Sequence, residues 1–113
     1  MHEFSIAQSV VALACEEADK AGACRVLKVG LEVGVLSGVV PESLEFCFPV
    51  ACRQTKAEGA ELEIHVESAQ ARCRSCGAEF AVEDLIFACP ECGAFPVELT
   101  SGKNLKVLFV EVE

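Results

Sequence analysis

The chain has 113 residues, 52% of them hydrophobic, and a formal net charge of −9. That length fits one ordinary domain, or one core plus a small lobe held by metal, since segments below roughly 40 residues seldom fold without a metal or disulfides. The acidic balance argues against nucleic acid and against an anionic membrane surface, which clustered Lys and Arg would hold, and suits cations or a basic protein partner.

Residues 4–21 read as a helix. Ile6, Val10 and Leu13 recur at helical spacing, with Ala7, Val11, Ala14 and Ala18 beside them. Ser5 and Gln8 match an S-x-x-Q capping box and Gly22 is a stop, which leaves Met1, His2 and Glu3 outside the helix with free backbone. A secretory leader is not expected, because Glu16, Glu17, Asp19 and Lys20 follow only a short amphipathic run. No apolar segment approaches the roughly 20 residues of a membrane span. The expectation is a cytoplasmic protein with reduced thiols, whose eight cysteines are ligands, reactive thiols or core residues before they are disulfides.

Residues 25–36 read as a strand, with Leu27, Val29, Leu31, Val33 and Val35 alternating against Lys28, Gly30, Glu32 and Gly34. After the Ser37-Gly38 turn, Pro41 suits the first position of a second helix. Leu44, Phe46, Cys47 and Phe48 supply its apolar side, and Pro49 should kink or end it. A turn at Glu58-Gly59 leads into a half-buried strand over 60–67, with Ala60, Leu62, Ile64 and Val66 on one face and Glu61, Glu63, His65 and Glu67 on the other. His65 in that acidic row reads as solvated strand face before loose metal site. Residues 105–112 form a third strand after the Ser101-Gly102 turn.

Residues 71–102 have no regular period but hold Cys73-x-x-Cys76 and Cys89-x-x-Cys92, twelve residues apart, each pair followed by glycine (Gly77, Gly93). A C-x-x-C knuckle aims two sulfurs at one ion, and two knuckles close a tetrahedral S4 shell for zinc(II) with no open position to activate water. A thioredoxin-like redox motif would instead place one C-x-x-C at the end of a strand and the start of a helix. Cys15 and Cys47 read as small buried thiols, while Cys24 and Cys52 lie in segments expected to be exposed. The fold expected is α/β (α+β): a three-stranded sheet with two helices, over 1–70 and 103–113, plus an inserted zinc-ribbon lobe over 71–102.

The amino terminus offers a second donor set. His2 is large, so Met1 should be retained. Its α-amine, the His2 amide nitrogen and the His2 imidazole close two adjacent chelate rings of the kind that selects nickel(II) or copper(II). The default reading of such a terminus is a frayed, solvated end.

Several segments together resemble the HypA family, with its close relative HybF. They are Met1-His2-Glu3, the run from Leu36 to Leu44 with Phe46 and Phe48, the run from Glu58 to Ile64, the cysteine quartet, and Gly102 to Glu113. The resemblance implies a non-enzymatic nickel metallochaperone for [NiFe]-hydrogenase, and in some organisms urease. It would work with a HypB-type GTPase on the hydrogenase large subunit precursor, as monomer or homodimer. It implies nickel(II) at His2, with the Met1 amine and Glu3 in the site, and zinc(II) at Cys73, Cys76, Cys89 and Cys92. The chain departs from the family pattern where Asn104 replaces an acidic residue, and where Arg53-Gln54-Thr55 lacks a glycine before Thr. Two other readings compete: a zinc-ribbon interaction module that carries no nickel, and a thiol oxidoreductase. Hydrolase and kinase signatures are missing from the sequence.

Overall fold

The computed structural model describes residues 3–82, 88–94 and 97–113. Helix α1 spans Glu3–Lys20, strand β1 Val26–Gly34, helix α2 Pro41–Cys52 and strand β2 Glu61–Glu67. Three short strands follow, β3 (Gln70–Arg72), β4 (Glu79–Ala81) and β5 (Glu98–Ser101), before the closing strand β6 (Leu105–Val112).

The first sheet has the order β2-β1-β6. Strands β1 and β2 run parallel and are joined through α2, the crossover that a parallel pair demands. Strand β6 lies antiparallel on the other side of β1. Both helices cover one face of this sheet and pack on each other. The core between them is made by Ala7, Val10, Val11, Ala14 and Ala18 of α1, Val29, Leu31 and Val33 of β1, and Leu44, Phe48 and Cys52 of α2. On the opposite face the Phe109 ring lies over Gly30, where an added Cβ would come within 2.2 Å of it.

Helix α1 begins two residues before the Ser5 capping box. Glu3 is in the helix and 7% exposed, because its carboxylate Oε2 accepts the Val40 N–H at 3.2 Å, a partner 37 residues away. Pro49 does not end α2, which runs on to Cys52. The stripe Leu44, Phe48, Cys52, spaced at i, i+4 and i+8, holds that last turn against the core. Phe46, expected on the apolar side, faces away and is 82% exposed. Cys52, expected exposed, is buried, and Cys15 and Cys47 are only half-buried.

The second sheet, β4-β3-β5, is wholly antiparallel. The sequence showed no period here because three- and four-residue strands are too short to carry one. The two sheets meet at a narrow neck. Gly102 O accepts the Leu36 N–H at 2.7 Å and Asn104 O accepts the Gly34 N–H at 2.7 Å. The Glu67 carboxylate takes the amides of Gly102 and Asn104 and the side-chain amide of Asn104. A Cβ on Gly34 would sit 2.2 Å from the Gly102 carbonyl oxygen, so two backbones approach here as only glycine permits. The radius of gyration, 17.5 Å, exceeds the roughly 13 Å of a compact chain of this length, and the extents are 55 × 27 × 15 Å.

Candidate metal centre

Among the described residues, the buried apolar side chains of the second sheet region are Ala69, Ala71, Cys73 and Cys89, all of them small. What it has instead is a cluster of thiols. The sulfurs of Cys73, Cys76, Cys89 and Cys92 all lie within 4.8 Å of one another. Cys73 Sγ is 3.5 Å from Cys92 Sγ, and Cys76 Sγ is 3.7 Å from Cys89 Sγ. A tetrahedral shell with Zn–S bonds of about 2.3 Å has an S···S edge of about 3.8 Å, so the donor set fits zinc in number, type and size.

The two knuckles are built alike. The Cys73 N–H donates to Ala78 O at 2.8 Å and the Gly77 N–H to Cys73 O at 2.9 Å. The Cys89 N–H donates to Ala94 O at 3.0 Å and the Gly93 N–H to Cys89 O at 2.8 Å. This tight turn requires positive φ just past the second cysteine, and Gly77 (+78°) and Gly93 (+74°) supply it. The Glu91 N–H also points at Cys89 Sγ, 3.4 Å away.

Thiols this close compete for negative charge. Backbone N–H groups, that of Cys76 foremost and then Ser75, hold Cys73 down to about 6, and contacts with Cys92 and Cys76 reinforce them against desolvation. Cys76 is pushed up to about 12. The Ala78 N–H favours its thiolate, but desolvation and the neighbouring Cys89, Cys73 and Cys92 sulfurs outweigh that. Such a quartet ionises fully only around a cation, which is what a structural zinc site requires of it.

Two arginines flank Cys73, and sequence reasoning missed them. Arg72 Nη2 donates to Glu98 Oε1 at 3.1 Å and Arg74 Nη2 to Glu98 Oε2 at 3.0 Å. They hold the Glu98 carboxyl below its ordinary range, the Arg72 hydrogen bond first, then the hydrogen bond and charge of Arg74. This clasp ties β5 to the strand that leads into Cys73. The only sequence signal is basic residues on both sides of a ligand, and nothing in the sequence pairs them with Glu98.

Of the amino-terminal donors, Met1 and His2 lie outside the described residues. Glu3 borders a cleft of about 450 Å³ with Phe4, Glu42, Ser43, Phe46 and Cys47, between the starts of α1 and α2. His65 is exposed and its Nε2 contacts Glu63 Oε2. Cys24 is exposed. Burial first, and then the charge of Cys15, pushes the Cys52 thiol up to about 11, which makes it an inert core thiol.

Residues 1–112 match the model of a family described as "Hydrogenase/urease nickel incorporation, metallochaperone, hypA". Among similar relatives, the hydrogenase maturation factor HypA of Geobacter metallireducens is 50% identical over 113 residues, covering all of both chains. That of Chlorobaculum parvum is 45% identical with the same coverage. The solution structure of the Ni metallochaperone HypA from Helicobacter pylori is similar at a TM-score of 0.71 and 26% identity, covering 99% of this chain and 97% of that one. A second solution structure of a HypA protein gives 0.75 at 26% identity, covering 100% and 97%. A family of metallochaperones carries metal and is not one of catalysts. Matched along its length by family, relatives and fold, the chain belongs to the HypA family of nickel-incorporating hydrogenase maturation factors.

Proposed function

We propose that this chain is a cytoplasmic nickel metallochaperone. It delivers nickel(II) for maturation of [NiFe]-hydrogenase or urease, working with a HypB-type GTPase and handing its cargo to the hydrogenase large subunit precursor. Family membership over residues 1–112 carries this reading. Residues 1–70 and 103–113 make the nickel-binding α/β domain, and 71–102 the zinc ribbon. Cys73, Cys76, Cys89 and Cys92 hold zinc, which when bound contributes folding energy and no catalysis, because its shell is closed.

Nickel is cargo, bound at the terminus through the Met1 amine and His2, with Glu3 contributing from the first turn of α1. Planar nitrogen donors suit nickel(II). A site with few protein ligands at a chain end leaves positions through which a partner's ligand enters before the first ones leave. A closed thiolate shell offers no such route. The cleft beside Glu3 and the exposed Phe4 and Phe46 leave open ground next to the site for a docking partner.

The test is a nickel(II) titration of tag-free, zinc-loaded protein with an authentic Met1, beside His2→Ala. Loss of one nickel per chain in the variant with zinc retained supports a carrier with its site at the terminus. Unchanged binding moves the site elsewhere. No binding to either protein makes the chain a zinc-ribbon interaction module.

A further inference from the structure

The two cysteine knuckles are separate turns with twelve residues, 77–88, between them. A second route joins them. Strand β3 leads into the first knuckle, and the chain leaving the second knuckle reaches β5. These strands pair antiparallel, and Arg72 opposite Glu98 is the end of that ladder next to Cys73. Arg74 lies past the ladder, inside the first knuckle, yet binds the same carboxylate: Arg72 Nη2 donates to Glu98 Oε1 at 3.1 Å and Arg74 Nη2 to Glu98 Oε2 at 3.0 Å.

Among the described residues, the Arg74 arm is the one hydrogen bond apart from the thiol contacts that ties the inside of one knuckle to the segment leaving the other. With Glu98 pinned there, only the five residues 93–97 separate that anchor from Cys92, whose Sγ lies 3.5 Å from Cys73 Sγ. A tether of five residues keeps the second knuckle nearer the first than a tether of twelve does, because fewer chain arrangements carry it away. A closed shell parts with its metal only when sulfurs leave it, and a sulfur held close rebinds before a competing ligand takes its place.

We infer that Arg72, Glu98 and Arg74 are positioning residues for the thiol quartet, which keep the two knuckles together while metal exchanges and so slow its loss. The inference rests on the reading that the quartet holds zinc. The side chains of Arg72, Glu98 and Arg74 are 52%, 36% and 76% exposed, so they act at the surface, where a single ion pair is worth at most about a factor of five. Two arms on one carboxylate should therefore change the rate of zinc loss about three- to tenfold.

The test mixes the full, zinc-loaded chain with an excess of a zinc-chelating dye and reads the rate of zinc transfer by absorbance. Glu98→Gln should lose zinc about three- to tenfold faster than the wild type, and Arg74→Gln should show part of that gain. The double variant should be no faster than Glu98→Gln alone, because both changes act through one contact. At about 1 M salt, where charges are screened beyond about 3 Å, the wild type should speed up toward the variants. Circular dichroism and the cobalt(II) absorption of a tetrahedral four-sulfur site should stay unchanged in every variant, which separates positioning from loss of the fold. Variants that hold zinc as long as the wild type overturn the inference, as do effects that simply add. So does an altered cobalt spectrum in the variants, which would make the clasp a folding element. Slower loss from Glu98→Gln overturns it too, since the freed guanidinium groups would then serve the thiolates directly. A wild type that takes up no zinc and gives no such cobalt spectrum refutes the reading of the quartet itself, and the inference with it.

Discussion

Gln54 is the only non-glycine residue with positive φ among those described, at +62°. An L-residue pays about 1–2 kcal/mol to sit in the left-handed region, because its Cβ crowds the following carbonyl. Gln54→Gly removes that cost but loses some of it again, since glycine has about 0.5–1 kcal/mol more entropy to surrender on folding. The difference is a net stabilisation of about 0.5–1 kcal/mol, which for a chain of this size is a rise in melting temperature of roughly 2–4 °C. The local hydrogen bond survives, because Gln54 donates its backbone N–H to Glu58 Oε1 at 3.1 Å, and the side chain itself is exposed. Thermal melts followed at 222 nm report on α2, which leads into this loop, and on α1, whose Asp19 pairs with Lys56 of the loop. Gln54→Ala is the control, since alanine pays nearly the same left-handed cost and should gain nothing. Destabilisation by Gln54→Gly, or equal gains from glycine and alanine, would refute the reasoning.

Gly34→Ala should destabilise the first sheet by about 2–4 kcal/mol in urea titrations, because its Cβ meets the Gly102 carbonyl at 2.2 Å and backbone cannot step aside as a side chain can. Asn104→Asp should cost about 1 kcal/mol at neutral pH, since it trades a donor to Glu67 at 3.0 Å and to Glu32 at 3.4 Å for a third carboxylate between them.

The order of the large elements was legible because α1, β1, β2 and β6 each carry a clean period. What failed were features fixed by partners far along the chain. Ser5 and Gln8 match a local capping box, yet α1 starts at Glu3, whose carboxylate accepts the Val40 N–H. Pro49 is a local breaker, yet the packing of Phe48 and Cys52 carries α2 past it. Strands β3 to β5 exist by pairing across the knuckles rather than by pattern. At the candidate metal centre, the cluster of four thiols could be read from spacing, because each knuckle is a local turn. The Arg72–Glu98–Arg74 clasp joins residues 24 and 26 apart and could not. The missing glycine at position 54 was visible in the sequence, but only the backbone angle says what it costs.

The neck constrains how the proposed zinc and nickel sites could influence each other. Contact between regions is not coupling, which requires an element with two arrangements that both sites bias. The joint of Gly34, Ala69 and Gly102 is a poor candidate for such an element. Its backbones already touch at the limit of approach, and the Glu67 carboxylate occupies the two amides that a second arrangement would have to release. A graded shift in the thiol cluster is therefore met at the neck by a stiff, singly satisfied junction. Losing the metal is a different kind of change, because bound zinc contributes folding energy to so small a lobe, and among the described residues Ala69 and Ala71 are the only buried apolar side chains there besides Cys73 and Cys89. Any influence of zinc on the rest of the chain should then be all-or-none, passing through whether 71–102 is folded rather than through small adjustments of the cluster.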